Sequence, residues 1–580
     1  MPASLRTATE ATFVSHDGVS LHYRHWPAAK PSGRAMLLFH RGHEHSARWQ
    51  GTVDALGLDD TDIFAWDARG HGASPGERGS AEHIGILIRD VDAFVRHVAK
   101  THGIPMEEMV VVSHSVGAVV VAAWVHDFAP PIRGLVLATP ALRVRLYVPF
   151  AVPALRFRQR FIGPGYVKSY VKAKMLTHDP EQARIYAADS AIFRQIAVNV
   201  LLDLYDTGTR LIADAGAIRV PVMMLAAGSD WVVENSAIQE FFDGLSSMDK
   251  TLHVLPGFYH AVFHERERSL VVNHVREFAT RLFAQPRTEP SSLNDADKSG
   301  YTKTEYDGLL HAPDEAVSKL LHLGFGTIGR MSEGVSLGLR SGFDSGETLD
   351  YVYENEPRGV TLLGRMMDRS YLESPGWSGI RMRRKHLEEM LAAAIREQHA
   401  QGKSIHILDA ACGGGRYVLE TLAKLRDIPV SATLRDYKQQ NLDVAEALRA
   451  KLGLDRVKIV KADAFDSDSY NNGDTRPTIG IVSGLLELFP GNDAPRACLG
   501  GFGAAIEPGG ILIYTGQPWH PQLRFIAGVL RNREGQPWIM RRRTQEEMDE
   551  LVRRAGFTKE EQAVDPWGIF TVSRARRTGK

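Results

Sequence analysis

The chain has 580 residues, 44% of them hydrophobic and 24% charged, with 69 basic and 69 acidic side chains and two cysteines. That length exceeds a single core and predicts two to four globular domains, which excludes a disordered or fibrous protein. Balanced charge supplies no overall field for nucleic acid, two cysteines (Cys412 and Cys498) exclude a disulfide framework, and no segment has the make-up of a signal peptide or membrane span, so a cytoplasmic protein is expected.

Residues 11–26 alternate around Asp17-Gly18, a hairpin pattern suited to a sheet edge. Short apolar runs recur at 35–40, 62–67, 109–114, 134–140 and 221–227, with helical stretches between most of them. This alternation predicts a mainly parallel sheet covered on both faces, with functional groups just after strand C-terminal ends. After the first of these runs, H-R-G-H-E-H-S-A-R-W (40–49) crowds three histidines into one loop without metal-ligand spacing. No metal is predicted there, and the loop reads as a source of backbone N–H groups for an oxyanion. D-A-R-G-H-G-A-S (67–74) reads as a tight structural loop.

The run at 109–114 leads into S-H-S-V-G (113–117) and a small-residue helix. Such a corner would hold Ser115 in a strained backbone, with its hydroxyl above the sheet and the next N–H free. A serine there is more often a local hydrogen-bonder, so its partners decide. Asp230 follows one later strand end and His260 the next. Alone, each reads more simply as a helix cap or a hydrogen-bonded loop histidine. In the order Ser, Asp, His they favour hydrolase chemistry, with Asp230 fixing the imidazole tautomer and His260 taking the Ser115 proton.

Residues 13–283 resemble the monoacylglycerol lipase and lysophospholipase-like serine hydrolases of the α/β-hydrolase superfamily (serine aminopeptidase S33 type), through these motifs with G-S-D (228–230) and G-F-Y-H (257–260). The resemblance implies Ser115 as nucleophile, Asp230 and His260 as its partners, and Gly42 with Val116 as oxyanion donors. Arg41 and Ser113 stand where the family carries glycines, which bears on rate and substrate size. A competing reading makes this half a degenerate lipid-binding module. An insertion at about 143–215 is expected to cover the site as a helical cap. Its arginines at 143, 145, 156 and 158, interleaved with Tyr147, Phe150, Phe157 and Phe161, suit peripheral contact with the inner face of an anionic membrane, or equally a solvated basic face.

Residues 285–303 are polar, proline-bearing and aperiodic, and read as a linker after a hydrolase domain spanning 1–284. Residues 304–400 read as a helical extension, whose Tyr351 and Tyr353 are acceptor-site candidates or, more simply, core aromatics. From 401 to 580 a second α/β pattern begins with I-H-I-L-D-A-A-C-G-G-G (405–415), a strand running into a glycine-rich turn and a helix. The next strand ends at Asp436, suited to ribose hydroxyls, and a third at Asp463, followed by Ala464-Phe465, suited to adenine. Asp409, ahead of the glycines, would repel a pyrophosphate but pair with an amino-acid ammonium, which favours an adenosyl zwitterion over a dinucleotide. Ser483 and Q-P-W-H-P (517–521, with Trp519 and His520) close the fourth and fifth strands, where an acceptor pocket is expected; a structural histidine is the rival reading of His520. Two final runs around residues 565–568 predict a terminal antiparallel hairpin.

Residues 404–574 resemble class I S-adenosylmethionine-dependent methyltransferases, through D-A-A-C-G-G-G and the acids at 436 and 463. The resemblance implies a Rossmann-like fold and S-adenosyl-L-methionine held by Asp409, Ala411, Gly413, Gly415, Asp436, Asp463, Ala464 and Ser483. The whole chain then reads as a bifunctional enzyme of lipid-like substrates, a serine ester hydrolase joined to a methyltransferase.

Overall fold

Valine-rich runs form the strands of the first half, because β-branched side chains pack well on a pleated, doubly covered sheet. The computed structural model describes residues 5–286, 293–471 and 475–579, and the chain divides into two units, Met1–Glu289 and Pro290–Lys580. The first unit contains β1 (Thr9–Val14), β2 (Ser20–Trp26), β3 (Arg34–Phe39), β4 (Thr61–Trp66), β5 (Met109–His114), β6 (Gly134–Ala138), β7 (Tyr166–Lys168), β8 (Gln195–Ala197), β9 (Val222–Ala227) and β10 (Lys250–Leu255). Eight of them form one sheet in the order β1-β2-β4-β3-β5-β6-β9-β10. Its β1–β2 hairpin is antiparallel, as is β2 against β4; the remaining pairs are parallel.

Both faces of this sheet are covered. Met36, Leu38, Val110, Val112, Val136 and Ala138 pack with Val271, Val275 and Phe278 of helix Arg268–Ala284. On the opposite parity Phe39 meets Phe94 of helix Ile84–His102, with ring centroids 6.0 Å apart. Each fully buried valine contributes about 1.5–3 kcal/mol, so β5 is anchored well enough to carry a strained residue at its end. The insertion after β6 holds helices Ala151–Phe161, Pro180–Ala188 and Val198–Ala213, and also the two-stranded β7–β8 ribbon.

The second unit carries β11 (Ile405–Asp409), β12 (Val430–Asp436), β13 (Val457–Lys461), β14 (Ile479–Val482), β15 (Ile511–Gly516), β16 (Phe557–Val564) and β17 (Thr571–Arg577). Their order is β13-β12-β11-β14-β15-β17-β16, parallel except for the final antiparallel strands. The order reverses at β11, between β12 and β14, and such a switch point opens a crevice beyond the strand ends. Helix Pro375–Ala400 lays Leu387, Met390, Leu391, Ala394 and Ile395 on this sheet, at the spacing of one helical face.

The linker expected over 285–303 is shorter. Residues 287–292 lie outside the described residues, but from Leu293 the chain is helical, in Leu293–Asp295, Ala296–Ser299 and Tyr301–Leu309. Thr302 is buried and its Oγ1 accepts from Arg541 Nη2 at 2.7 Å, a tie to a residue far along the chain that local composition does not reveal. The run Arg541-Arg542-Arg543 is likewise buried. Arg541 pairs with Glu547 (2.9 Å), Arg542 with Glu305 (2.6 Å), and Arg543 donates to the carbonyls of Leu486, Phe489 and Gly491. Among the described residues no helix is long and apolar enough to cross a membrane.

Candidate active sites

At the end of β5 the chain turns into helix Val116–Phe128 through Ser115, whose φ of 56° and ψ of −115° lie outside the regions an L-residue favours. The Ser115 N–H donates to Ala138 O at 2.9 Å, and its carbonyl accepts from Ala118 and Ala141, both at 3.1 Å. Ser115 Oγ lies 2.7 Å from His260 Nε2, and His260 Nδ1 lies 2.8 Å from Asp230 Oδ2. The other oxygen of Asp230 accepts from the N–H groups of Val232 (2.7 Å) and Val233 (3.0 Å). Burial pushes the Asp230 pKa up, but His260 and those N–H donors outweigh it and hold the carboxyl below its ordinary value. An ionised Asp230 assigns the Nδ1 proton to His260 and leaves Nε2 as the acceptor facing Ser115. The His260 carbonyl is held by His114 Nε2 (3.0 Å) and Thr139 Oγ1 (3.1 Å). Burial keeps His114 neutral, so it serves here as a donor.

Gly42 and Val116 are neighbours: a Cβ on Gly42 would stand 3.0 Å from Val116 Cγ2. Val116 opens a helix, where N–H groups lack intrahelical partners. Both departures near this loop are accommodated. Ser113 is fully buried and its hydroxyl donates to Val136 O at 3.1 Å. The Arg41 guanidinium pairs with Glu44 at 2.9 Å and lies over the Tyr186 ring of the cap at 4.7 Å. The loop histidines are engaged as protein groups. His40 bonds Arg41 O and the Ala68 N–H, His45 pairs with Asp189, and burial with Arg41 pushes His43 down to about 4. Asp67 accepts from the N–H groups of Ser46 and Ala73, which gives the 67–74 loop its structural role. One His/Asp cluster, His16 with Asp17 and Asp90, has Arg69 paired to both carboxylates.

The helix after Ser115 approaches β3 so closely that a Cβ on Gly117 would stand 2.3 Å from His40 O. Gly117→Ala is therefore expected to cost about 1–3 kcal/mol of stability, read by urea unfolding, and to weaken fluorophosphonate labelling of Ser115 by displacing the oxyanion loop.

The second unit opens at its switch point into a cavity of about 1690 Å³. Ala411, Gly413, Gly415, Asp436, Asp463, Ala464 and Ser483 line one end of it. Gly413 and Gly415 have φ of 54° and 64°, and a Cβ on Gly413 would meet nothing within 4 Å, so the turn leaves room for a ligand against bare backbone. Asp436 accepts from Gly413 N (2.9 Å), Lys438 N (2.9 Å) and Asn441 Nδ2 (3.0 Å). Asp463 accepts from Phe465 N at 2.9 Å. Asp409 lies beneath this wall with no exposed surface. Burial pushes its pKa up to about 7 despite a 2.5 Å bond from the Tyr417 hydroxyl, and its Oδ1 has no hydrogen-bond partner in the protein. The open glycine cradle, with the buried Asp409 carboxyl behind it, fits the amino-acid end of an adenosyl amino acid.

The acceptor candidates separate. Tyr353 and His520 line the cavity; Tyr351 and Trp519 do not. The Tyr351 hydroxyl bonds Asp368 and the Arg358 N–H inside the helical core, and Trp519 lies beside the Arg542 guanidinium. His520 Nδ1 accepts from Gln522 N at 3.1 Å and burial pushes its pKa down to about 4, so neutral His520 carries its proton on Nε2 and acts as a donor, not a base. Sequence reasoning also missed the buried pair Arg383–Glu487 (3.2 Å) on the cavity wall, 104 residues apart with no local signal.

A family described as "Putative methyltransferase" matches residues 275–577. The chain belongs to this family. The serine aminopeptidase S33 family matches residues 30–267, so an α/β-hydrolase domain of lipase-like relationship precedes the Rossmann-like methyltransferase domain in one polypeptide. Over its full length the chain is similar to the "Uncharacterized protein YnbC" of Escherichia coli (strain K12), at 46% identity across 99% of each. Its hydrolase half is similar to the monoacylglycerol lipase of Mycolicibacterium smegmatis, at 27% identity over 46% of this chain and 96% of that one. It is also similar to phospholipase YtpA of Bacillus subtilis (strain 168), at 25% over 44% of this chain and 97% of that one.

Proposed function

We propose that the protein hydrolyses monoacylglycerol- or lysophospholipid-type esters through Ser115 and transfers methyl groups from S-adenosyl-L-methionine in its second unit. The hydrogen-bonded line from Ser115 through His260 to Asp230 carries the first half of this reading. Ser115 Oγ attacks the ester carbonyl as His260 Nε2 takes its proton; the oxyanion is received by the N–H groups of Gly42 and Val116; His260 then protonates the leaving alcohol. Water repeats the sequence on the acyl-enzyme, and Asp230 stays ionised throughout. The names of the lipase and phospholipase relatives support a lipid ester as substrate.

On the cap, Val148, Phe150, Phe157 and Phe161 are exposed beside exposed Arg160, which supports peripheral contact with an anionic membrane surface at its inner face. In the second unit, Asp409 would pair with the ammonium of S-adenosyl-L-methionine, the turn at 413–415 would face its amino-acid end, Asp436 its ribose and Asp463 with Ala464 its adenine. When bound, that cofactor supplies a methyl group activated by a sulfonium. The chain's own part is to position the acceptor and keep water out.

A fluorophosphonate probe is expected to label the purified chain and to fail on Ser115→Ala. Labelled methyl from S-adenosyl-L-methionine is expected to enter a lipid extract. An unlabelled wild-type chain would overturn the hydrolase reading, and no transfer to any component of the extract would overturn the other.

A further inference from the structure

The cavity of the second unit, about 1690 Å³, exceeds the roughly 300–1,000 Å³ usual for one small ligand. An adenosyl amino acid at the glycine end leaves a second chamber, walled by the helical extension and the segment after β15. Phe325, Val335, Leu349, Trp377, Ile526 and Ile539 line it, an apolar surface larger than a small polar acceptor would cover. We propose that this chamber binds the single acyl or alkyl chain of the methyl acceptor, an amphiphile whose oxygen-bearing, phosphate-free head faces the cofactor end. The assignment rests on the methyltransferase reading above and names its substrate class.

Three observations carry it. The cations on the wall are already paired, Arg383 with Glu487 (3.2 Å), Arg416 with Asp350 (2.9 Å), Arg533 with Asp344 (3.1 Å) and Lys438 with Glu534 (3.6 Å). Among the described residues each wall cation thus stands beside a carboxylate, so the wall offers little net positive charge to a phosphate, whose recognition calls for charge-assisted bonds. By contrast, the wall residues Gln517 and Trp538 each have a buried N–H donor, Nε2 and Nε1, without a partner in the protein, and His520 presents its Nε2–H. Buried donors of this kind are satisfied by a hydroxyl, ester or carboxyl oxygen. Finally, the elements whose residues Phe325, Gly329 and Met367 line the chamber expose Leu323, Ile328 and Met366 on their outer side. Such exposed apolar surface on the elements that wall the chamber suits an incoming hydrocarbon chain.

The test uses the full chain carrying Ser115→Ala, so that the first unit does not hydrolyse the probe, and a diazirine-bearing analogue of 1-monopalmitoylglycerol, with crosslinked peptides mapped by mass spectrometry. Crosslinks are expected within 316–340, 375–390 or 523–540, suppressed by excess 1-monopalmitoylglycerol and not by monobutyrin. Leu349→Trp and Ile539→Trp, which fill the chamber from two sides, are each expected to lower that labelling at least tenfold while S-adenosylhomocysteine binding, followed by calorimetry, stays within twofold. Unchanged labelling in both variants, or crosslinks confined to the first unit, would overturn the inference. Suppression by hexadecyl phosphate equal to that by 1-monopalmitoylglycerol would overturn the phosphate-free head. Loss of S-adenosylhomocysteine binding by the wild-type chain would instead count against the methyltransferase reading, and so separates the two failures.

Discussion

Asp230→Asn is expected to lower kcat/KM for ester hydrolysis by about 10⁴-fold, nearly as much as Ser115→Ala, although the change is one atom for another. The reason is geometric. Val232 and Val233 direct their N–H groups at Asp230 Oδ1, so an asparagine here places its carbonyl oxygen toward them and its amide N–H₂ toward His260. That donor forces His260 Nδ1 to accept, which moves the ring proton to Nε2, where it faces Ser115 Oγ at 2.7 Å. The base is then lost while the fold is kept. Ser115→Ala removes the nucleophile and is expected to cost somewhat more, at least about 10⁴-fold, and combining it with His260→Ala is expected to add little, as for groups that act as one unit. Initial rates on 1-monopalmitoylglycerol at neutral pH, with unfolding curves to show intact folding, check all three. An Asp230→Asn enzyme that kept a tenth of the wild-type rate would remove this carboxylate from the mechanism.

Asp409→Asn is expected to stabilise the second unit and to weaken S-adenosyl-L-methionine binding by at least about 10²-fold, opposite effects of one buried charge. Burial raises the Asp409 pKa to about 7, with Tyr417 donating to it and Asp436 adding repulsion. An acid whose folded pKa lies above its unfolded value of 3.8 binds more protons folded than unfolded across the interval, so stability falls as pH rises from about 4 to about 7. The penalty is on the order of a few kcal/mol at neutral pH, and asparagine removes it. A cationic ammonium prefers the ionised carboxylate, so cofactor affinity is expected to rise as pH increases through about 7 in the wild type and to stay flat in Asp409→Asn. Calorimetric titrations at pH 6 and 8, paired with thermal unfolding at both, read the two effects. Affinity independent of pH in the wild type would remove Asp409 from the ammonium site.

Much of the architecture was legible because it is local. The period-2 hairpin before Trp26, the β-branched runs and the glycine turn at 413–415 each declare their structure within a dozen residues. The meeting of Ser115, Asp230 and His260 was legible for a different reason: each follows a strand, and parallel strands of one sheet end on the same side. Residues 293–303 read as linker because polar composition suggests a solvated chain, whereas burial of Thr302 against Arg541 is a contact between distant segments. The arginine run at 541–543 is buried for the same kind of reason, because carboxylates and carbonyls from elsewhere in the chain meet its three adjacent charges.

By itself the sequence determined the strand order along the chain, the two α/β halves, the strained serine corner and the acids that close β11, β12 and the segment after β13. Only the tertiary structure decided which neighbouring side chains face the second cavity. Tyr351 and Tyr353 are two positions apart on helix Gly346–Glu354 and so point about 200° apart, one into the helical core and one to the cavity. Trp519 and His520 divide in the same way. Which face of an element is buried depends on what packs against it, and the partners that decide it here, such as Asp368 for Tyr351 and Arg542 for Trp519, lie on other elements of the unit.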